Sequence, residues 1–594
     1  MNPADSIRGD FIVAAGPRAY EWLSQLGGFD VHKAGPSLWL ATRGAVLRGN
    51  NAQGMTWAAL ADLIEGDVGA VELDDDSFPQ RHWRGRFAHA MWSADSNRIQ
   101  LLTDHFSSVP LYWYQRDGHH AVASDLRLLL DAPGVRREPD LRAVYHYLNF
   151  TCIPAPLTIC SDIQKVEPGT RLSLDGSRHS SVRYYLPEYP EDLQGSDEAL
   201  ADELRQRIVA SVQAFRPHSD AGWGCFLSGG TDSSSIVSIL ARQQLSPVHS
   251  CSIGFREAGY DELDFARLAG EACGARTHLA QVDQTRALAL LDTVVEAYDQ
   301  PFGNASAVPT LACAELGHAQ GFSLMLGGDG GDEVFGGNQR YAKDRVMQGF
   351  HDLPSPLKKA ASAVGEWVGG GNNHLLNRVR NFTRRGSLPN PDRFYTDDSF
   401  ASDYYTELLT PQLRQQVPQE ASLEAMRQIY NLGAPAAPLH RIMRLDLLMA
   451  IAQNDLVKVH RACRQHGVSA RFPLLDTQLV DFCGRLAARY KVRGLKKRYL
   501  FKQAMASILP AEILSKRKQG FGLPIAIWMK DDPALQARVR DVLLDERTRE
   551  RGWINPEFVS ALVRMHMDGG WDHSNAIWQL LILELWMRRY MDAK

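Results

Sequence analysis

The chain has 594 residues, 44% of them hydrophobic and 23% charged, with a formal net charge of -4. That composition belongs to a globular protein with room for two or three domains, and its mild acidity excludes a general nucleic-acid binder. The N-terminal residues carry acidic groups and no long apolar core, and no apolar run is long enough to span a bilayer. A cytoplasmic protein without membrane insertion is expected. The eight cysteines are scattered with no C-x-x-C pair, so neither zinc nor a disulfide framework is expected, and they read as small core residues.

Residues 1–130 read as a β-rich, sandwich-like domain. Short apolar runs at 11–15, 37–41, 45–48, 85–92, 98–103 and 111–114 have strand character, and 57–63 reads as a helix. Residues 131–200 read as a connecting segment. Pro133-Gly134 closes the first domain, 141–148 forms a helix, and Pro187 and Pro190 mark a flexible boundary. A helix over 197–215 opens the remainder, 201–594. There strands alternate with 10–15-residue helices to about residue 340, the pattern of a parallel α/β core. The last third is helical, as the 3.6-residue apolar face of 441–449 shows. Trp571, Trp578 and Trp586 read as core or interface residues, and the insert from about 345 to 430 as a wall, a lid or a plain insertion.

The chain is organised around Phe226-Leu227-Ser228-Gly229-Gly230-Thr231-Asp232-Ser233-Ser234. An apolar strand end, a glycine turn and a helix start expose backbone N–H groups at a helix end that favours anions. With the hydroxyls of Ser228, Ser233 and Ser234 this reads as a pyrophosphate cradle, and Asp232 is placed to hold magnesium beside it. No lysine follows the glycines, so it is not the loop of the usual ATPases. A second strand, 248–255, should lie alongside. A third, 322–326, runs into Gly327-Gly328-Asp329-Gly330-Gly331-Asp332-Glu333-Val334-Phe335-Gly336-Gly337. Glycines interleaved with carboxylates at a strand end call for a cation or a reacting group, so Asp232 and Asp332 are the expected magnesium pair. Residues 299–310 are expected to line the same crevice.

Residues 85–92, Asp104-His105-Phe106, Pro110-Leu111-Tyr112 and Ala123-Ser124-Asp125 resemble the glutaminase domain of asparagine synthetase. In that family the nucleophile is a cysteine exposed at residue 2; Asn2 stands here, and the first cysteine is Cys152. Thr103 and Ser107 replace the arginine and glycine of the family's R-D-x-x-G segment. The expectation is a degenerate class II glutamine amidotransferase domain, retained as a scaffold or docking surface. Ser228 to Ser233 meet the pattern S-G-G-x-D-S, Ser252 to Phe255 meet S-I-G-F, and Gly328 to Glu333 meet G-D-G-G-D-E. These resemble the synthetase domain of asparagine synthetase and of its relatives, the β-lactam synthetases and lasso-peptide cyclases.

That resemblance implies an α+β glutaminase-like sandwich followed by an α/β parallel-sheet adenine-nucleotide α-hydrolase (PP-loop) domain with a helical C-terminal part. It implies ATP and Mg2+: ATP is cleaved between its α- and β-phosphates, a carboxylate is adenylated, and an amine displaces AMP. Leu227, Ser252 and Ile253 are then expected at the adenine, and Ser228, Gly229, Gly230, Ser233, Ser234 and Gly328 at the phosphates. Lys518, in a segment resembling K-x-G-F-G-x-P, is expected to stabilise the developing oxyanion, and Arg498 to hold pyrophosphate. Asp329 is expected to orient or deprotonate the amine. Asn304, His460 and Ser469 depart from the family's aspartate, aspartate and glutamate, although His460 also reads as a hydrogen-bonded helix residue. From Asn2, from His460 and Ser469, and from the complete adenylation set, the expected reaction is macrolactam closure by a lasso-type peptide cyclase. Its expected partners are a precursor peptide, a leader-peptide-binding protein and a leader peptidase. The alternatives are an ammonia-dependent asparagine synthetase-like enzyme, a β-lactam synthetase-like cyclase, and a nucleotide-free scaffold.

Overall fold

The structure is a computed structural model. It describes residues 7–592 except 52–54, 71–82, 94–97, 176–177, 218–221, 244–247, 258–259, 261–262, 369–373 and 516–522. Asn2 and Lys518 therefore lie outside the described residues.

Twelve strands build the N-terminal unit: β1 (Asp10–Ala15), β2 (Asp30–Lys33), β3 (Leu38–Arg43), β4 (Leu47–Asn50), β5 (Thr56–Glu65) and β6 (Arg84–Trp92), followed by β7 (Ile99–Thr103), β8 (Tyr112–Arg116), β9 (His119–Ala123), β10 (Gln164–Lys165), β11 (Thr170–Asp175) and β12 (Arg178–Arg183). They form two six-stranded antiparallel sheets, ordered β10-β8-β9-β1-β3-β2 and β12-β11-β7-β6-β5-β4. The expected boundary at 130 cuts through this unit, because β10, β11 and β12 complete both sheets. The expected helix over 57–63 is the middle of β5. Alanine and leucine favour helix, but a period of two decides: Ala58 and Leu60 face the core between the sheets, while Trp57, Ala61 and Leu63 face Trp83 and Phe87 on the other side. β1 alternates likewise. Phe11 and Val13 fill the sandwich, and Ile12 and Ala14 join the core of the second domain.

Two helices link the halves, α1 (Leu141–Phe150) and α2 (Asp197–Phe215). Each has a side-chain N-cap, from Asp140 and Ser196. The second domain is wound around five parallel strands: β13 (Trp223–Phe226), β14 (His249–Gly254), β15 (Arg276–Gln281), β16 (Leu324–Leu326) and β17 (Ser469–Arg471). Their order is β15-β14-β13-β16-β17, so the winding reverses between β13 and β16. Ligand crevices of open α/β sheets lie at that switch, outside the carboxyl ends of the strands. Of the three tryptophans, Trp578 and Trp586 are buried as expected, whereas Trp571 is 70% exposed and is no core residue.

The two domains are joined through buried arginines. Arg471 of β17 donates twice to Asp62 of β5, at 2.7 and 2.6 Å. Arg84 of β6 donates twice to Asp476, at 3.0 and 2.7 Å. Arg464 reaches Asp10, and Arg461 bridges Asp125 and Asp299.

Candidate active site

A cavity of about 350 Å3 opens at the switch point. Beneath it, β13 ends in Leu227, and Ser228, Gly229 and Gly230 turn the chain into α3 (Thr231–Ala241). Gly229 takes φ +70° and lies against the backbone of Phe265 and Ala266, an approach only glycine permits. The Ser228 N–H donates to Ser233 Oγ at 3.2 Å, which closes the loop. The Ser252 hydroxyl of β14 donates to the carbonyl of Leu227, so neighbouring strand ends are tied together. From the other side β16 runs into the short helix α4 (Gly331–Phe335), with Gly330 at φ +84° as its N-cap.

The expected magnesium pair meets at this point. Asp232, in the first turn of α3, and Asp332, in the first turn after Gly330, share the guanidinium of Arg498. Burial lowers the affinity of that guanidinium for its proton, but the two carboxylates outweigh it and hold Arg498 charged, above its ordinary pKa. Arg498 itself has a left-handed backbone, φ +54°. A Cβ on Gly331 would strike the Asp232 carboxylate, and one on Gly337 would strike Asp332 and Arg498. These glycines clear the space in which the three charges converge. Among the described residues no group of three or more His, Cys, Asp or Glu could hold a metal. Two hard carboxylates facing one cation nevertheless fit magnesium, which takes one or two protein carboxylates and completes its shell from phosphate and water.

Of the residues expected here, Leu227, Ser228, Gly230, Asp232, Ser233, Ser252, Ile253, Gly328, Asp329, Asp332 and Arg498 line the cavity. Ser234 does not: it is wholly buried on the inner face of α3. Gly229 contributes the turn rather than a wall. Of residues 299–310 only Thr310 reaches the cavity. Asp299 is held by Arg461, and Asn304 Oδ1 accepts from Ser306 N at 3.0 Å, a turn-capping contact. His460 is buried with Nδ1 2.7 Å from Arg86, and its pKa is pressed well below the ordinary value by burial and neighbouring arginines. It is a neutral interface residue and not an acceptor-site group. Ser469 lies within β17.

Sequence reasoning missed Asp455 and gave Lys458 no role. A helical run, Pro438–Asp446, passes through a π-helical stretch, Leu447–Asp455, into the helix Leu456–Gln465. The wider turns bring Ile451, Asp455 and Lys458 to the cavity, and Lys458 Nζ donates to Asp455 at 2.6 Å. Their i, i+3 spacing beside a motif-like segment was the available signal. Lys497 and Lys502 also line the cavity, flanking Arg498 in sequence. Asp329 stands opposite. Loss of hydration raises its pKa to about 6, with Lys458 opposing the rise and Asp455 and Asp232 adding to it.

Comparison with known proteins bears on the family. The family model Asparagine synthase matches residues 203–588, and Glutamine amidotransferase domain matches 78–185. A Mycobacterium tuberculosis protein (strain H37Rv) bearing the name of a glutamine-hydrolyzing asparagine synthetase is 29% identical over 91% of this chain and 84% of its own. Asparagine synthetase 1 of Bacillus subtilis (strain 168), also named as glutamine-hydrolyzing, is 26% identical over 86% and 79%. A Penicillium rubens protein named amidase chyE is 23% identical over 80% and 74%. These matches overturn the lasso-peptide cyclase and macrolactam expectation: what runs along the chain is an asparagine-synthetase pattern. Of the departures on which that expectation rested, His460 falls at a domain interface and Ser469 in a buried strand, while Asn2 lies outside the described residues.

Proposed function

This chain belongs to the asparagine synthase family, and we propose that it amidates a small carboxylic acid with ammonia, using ATP and releasing AMP and pyrophosphate. The family architecture makes it an ATP-dependent carbon–nitrogen ligase. The observation that carries the rest of the reading is Asp232 and Asp332 converging on Arg498 at the switch point, under a turn of backbone N–H groups. Asp232 and Asp332 would hold magnesium, which when bound supplies charge neutralisation on the phosphates. A substrate carboxylate oxygen bonds to the α-phosphorus as the bond to pyrophosphate breaks. Arg498, desolvated and charged, favours the leaving pyrophosphate. Ammonia then bonds to the acyl carbon, the bond to AMP breaks, and Asp329 takes the proton the nitrogen loses. Lys518 is proposed to complement the oxyanion of that second step.

Ammonia is preferred over glutamine because of the thiols. Residues 1–185 contain Cys152 and Cys160, and no other cysteine. Both are buried, and loss of hydration pushes their pKa values up to about 12 and about 11, far from a nucleophilic thiolate. The carboxylate of Asp104, in the segment that resembles the glutaminase, accepts from Phe87 N, Phe106 N, Ser108 N, Ser108 Oγ and Val109 N. It knots its own loop.

The test supplies protein and ATP–Mg with aspartate, and either ammonium or glutamine as nitrogen donor. Asparagine and AMP are expected with ammonium, with no glutamate released from glutamine. Asp332→Asn should lower AMP formation by about 100-fold or more. Glutamate release matching AMP formation would move the nitrogen source to glutamine. Absence of AMP with either donor would remove aspartate as the substrate.

A further inference from the structure

Two residues beyond Gly337 the chain leaves the active site and forms three consecutive helices, α5 (Gln339–His351), α6 (Ser355–Val368) and α7 (His374–Ser387). Their base is rigid. Arg340 pairs with Asp397 and Asp398, and the buried Arg393 pairs with Asp344 at 2.7 Å. Their inner contact is aromatic: Phe350 meets Phe382 edge to face at 5.5 Å, and a Cβ on Gly386 would touch Phe350.

The outer surface has an unusual charge. Residues 339–387 hold nine lysines and arginines against three acids, in a chain whose net charge is -4, and two of the nine, Arg340 and Arg385, are paired with Asp397 and Asp398. Asp344, one of the three acids, is already taken by Arg393. Lys343, Lys359, Arg378, Arg380 and Arg384 are exposed, and among the described residues none of them has an acidic partner. Among these cations stand exposed aliphatic side chains: Val346, Leu353, Leu357 and Val379, between 40% and 57% accessible. Singly such residues are ordinary on a protein surface; here they stand beside those cations on the same three helices, and it is the combination that marks the face.

We propose that this helical unit is a docking surface for an anionic lipid bilayer. Cations alone would suit any polyanion, and aliphatics alone any apolar partner. The mixture suits the boundary between acidic headgroups and acyl chains, where Lys and Arg meet phosphate and short aliphatics enter the interface. An acidic protein would need carboxylates matched one by one to guanidinium groups. Here the cations are spread over three helices with aliphatics between them, an arrangement that tolerates a fluid partner. No described helix is long and apolar enough to cross a membrane, so the contact is peripheral.

Sedimentation of the full chain with lipid vesicles tests this. Binding is expected to phosphatidylglycerol–phosphatidylcholine vesicles and not to phosphatidylcholine alone, and it should weaken steeply with added salt. The triple variant Arg378→Glu, Arg380→Glu, Arg384→Glu should lower the bound fraction about tenfold or more while leaving AMP formation in solution unchanged. Leu357→Ser, which alters no charge, should also weaken binding. The proposal is overturned if the protein stays in the supernatant with acidic vesicles, or if the triple variant binds as the parent does. Equal binding to soluble polyglutamate would assign the surface to an acidic polypeptide instead. Vesicle binding does not depend on which carboxylate the active site amidates.

Discussion

Arg498 places one guanidinium against two carboxylates that a divalent cation would otherwise bridge, so Asp232 and Asp332 stay close without mutual repulsion before substrate arrives. In the same cavity Asp329 faces a different balance. Its carboxyl, raised to about 6, is protonated below that value and is a base only above it. The amidation step should therefore slow about tenfold per unit as pH falls below about 6, because the fraction of carboxylate falls tenfold per unit. A kcat profile from about pH 5 to 8 reads this directly. Asp329→Asn should give a low rate without that acid limb; a variant that keeps the limb would show that another group titrates there.

At the scale of elements, the site is made where glycine turns meet helix starts. Gly331 opens α4 directly beside the Asp232 carboxylate, so Gly331→Ala should push that carboxylate out of line while α3 and α4 keep their backbone. AMP formation should fall about tenfold or more, with a higher KM for ATP–Mg and a melting temperature nearly unchanged; an unaffected KM would show that the carboxylate does not meet the nucleotide. This part of the site was legible in the sequence because its chemistry lies in contiguous loops. Ser228 to Ser233 and Gly328 to Glu333 each carry glycines, hydroxyls or acids within a few residues. Asp455 was not legible, since its position depends on the π-helical stretch before it. The strand over Thr56–Glu65 was misread because alanine and leucine favour helix, and its partners, β4 and β6, come from outside the segment. The sandwich likewise gave no sign that 164–183 would return to complete it.

At the scale of the molecule, arginines fasten the sandwich to the synthetase domain, Arg84, Arg86, Arg461, Arg464 and Arg471 among them. Asp62 is wholly buried and Arg471 nearly so. Removing one member of such a pair leaves an uncompensated buried charge at a cost of about 3–5 kcal/mol. Asp62→Ala should destabilise the whole protein by roughly that amount, and both domains should melt in one calorimetric transition, which the variant shifts without splitting. Two separate transitions would show that the interface couples the domains weakly.

The alternation along β1 also matters while the chain is being made. The sandwich is complete once Arg183 has been synthesised, yet Ile12 and Ala14 of β1, with Tyr112 and Tyr114 of β8, belong to a core that the other domain shares and finishes. That domain ends about 400 residues later, some 20–80 s at the usual pace of a ribosome. Through that interval a finished sheet lacks part of its apolar cover. The nascent chain should therefore gain from shelter at the ribosome exit, and crowding of polysomes rather than heat is the stress under which it should first be lost to aggregates.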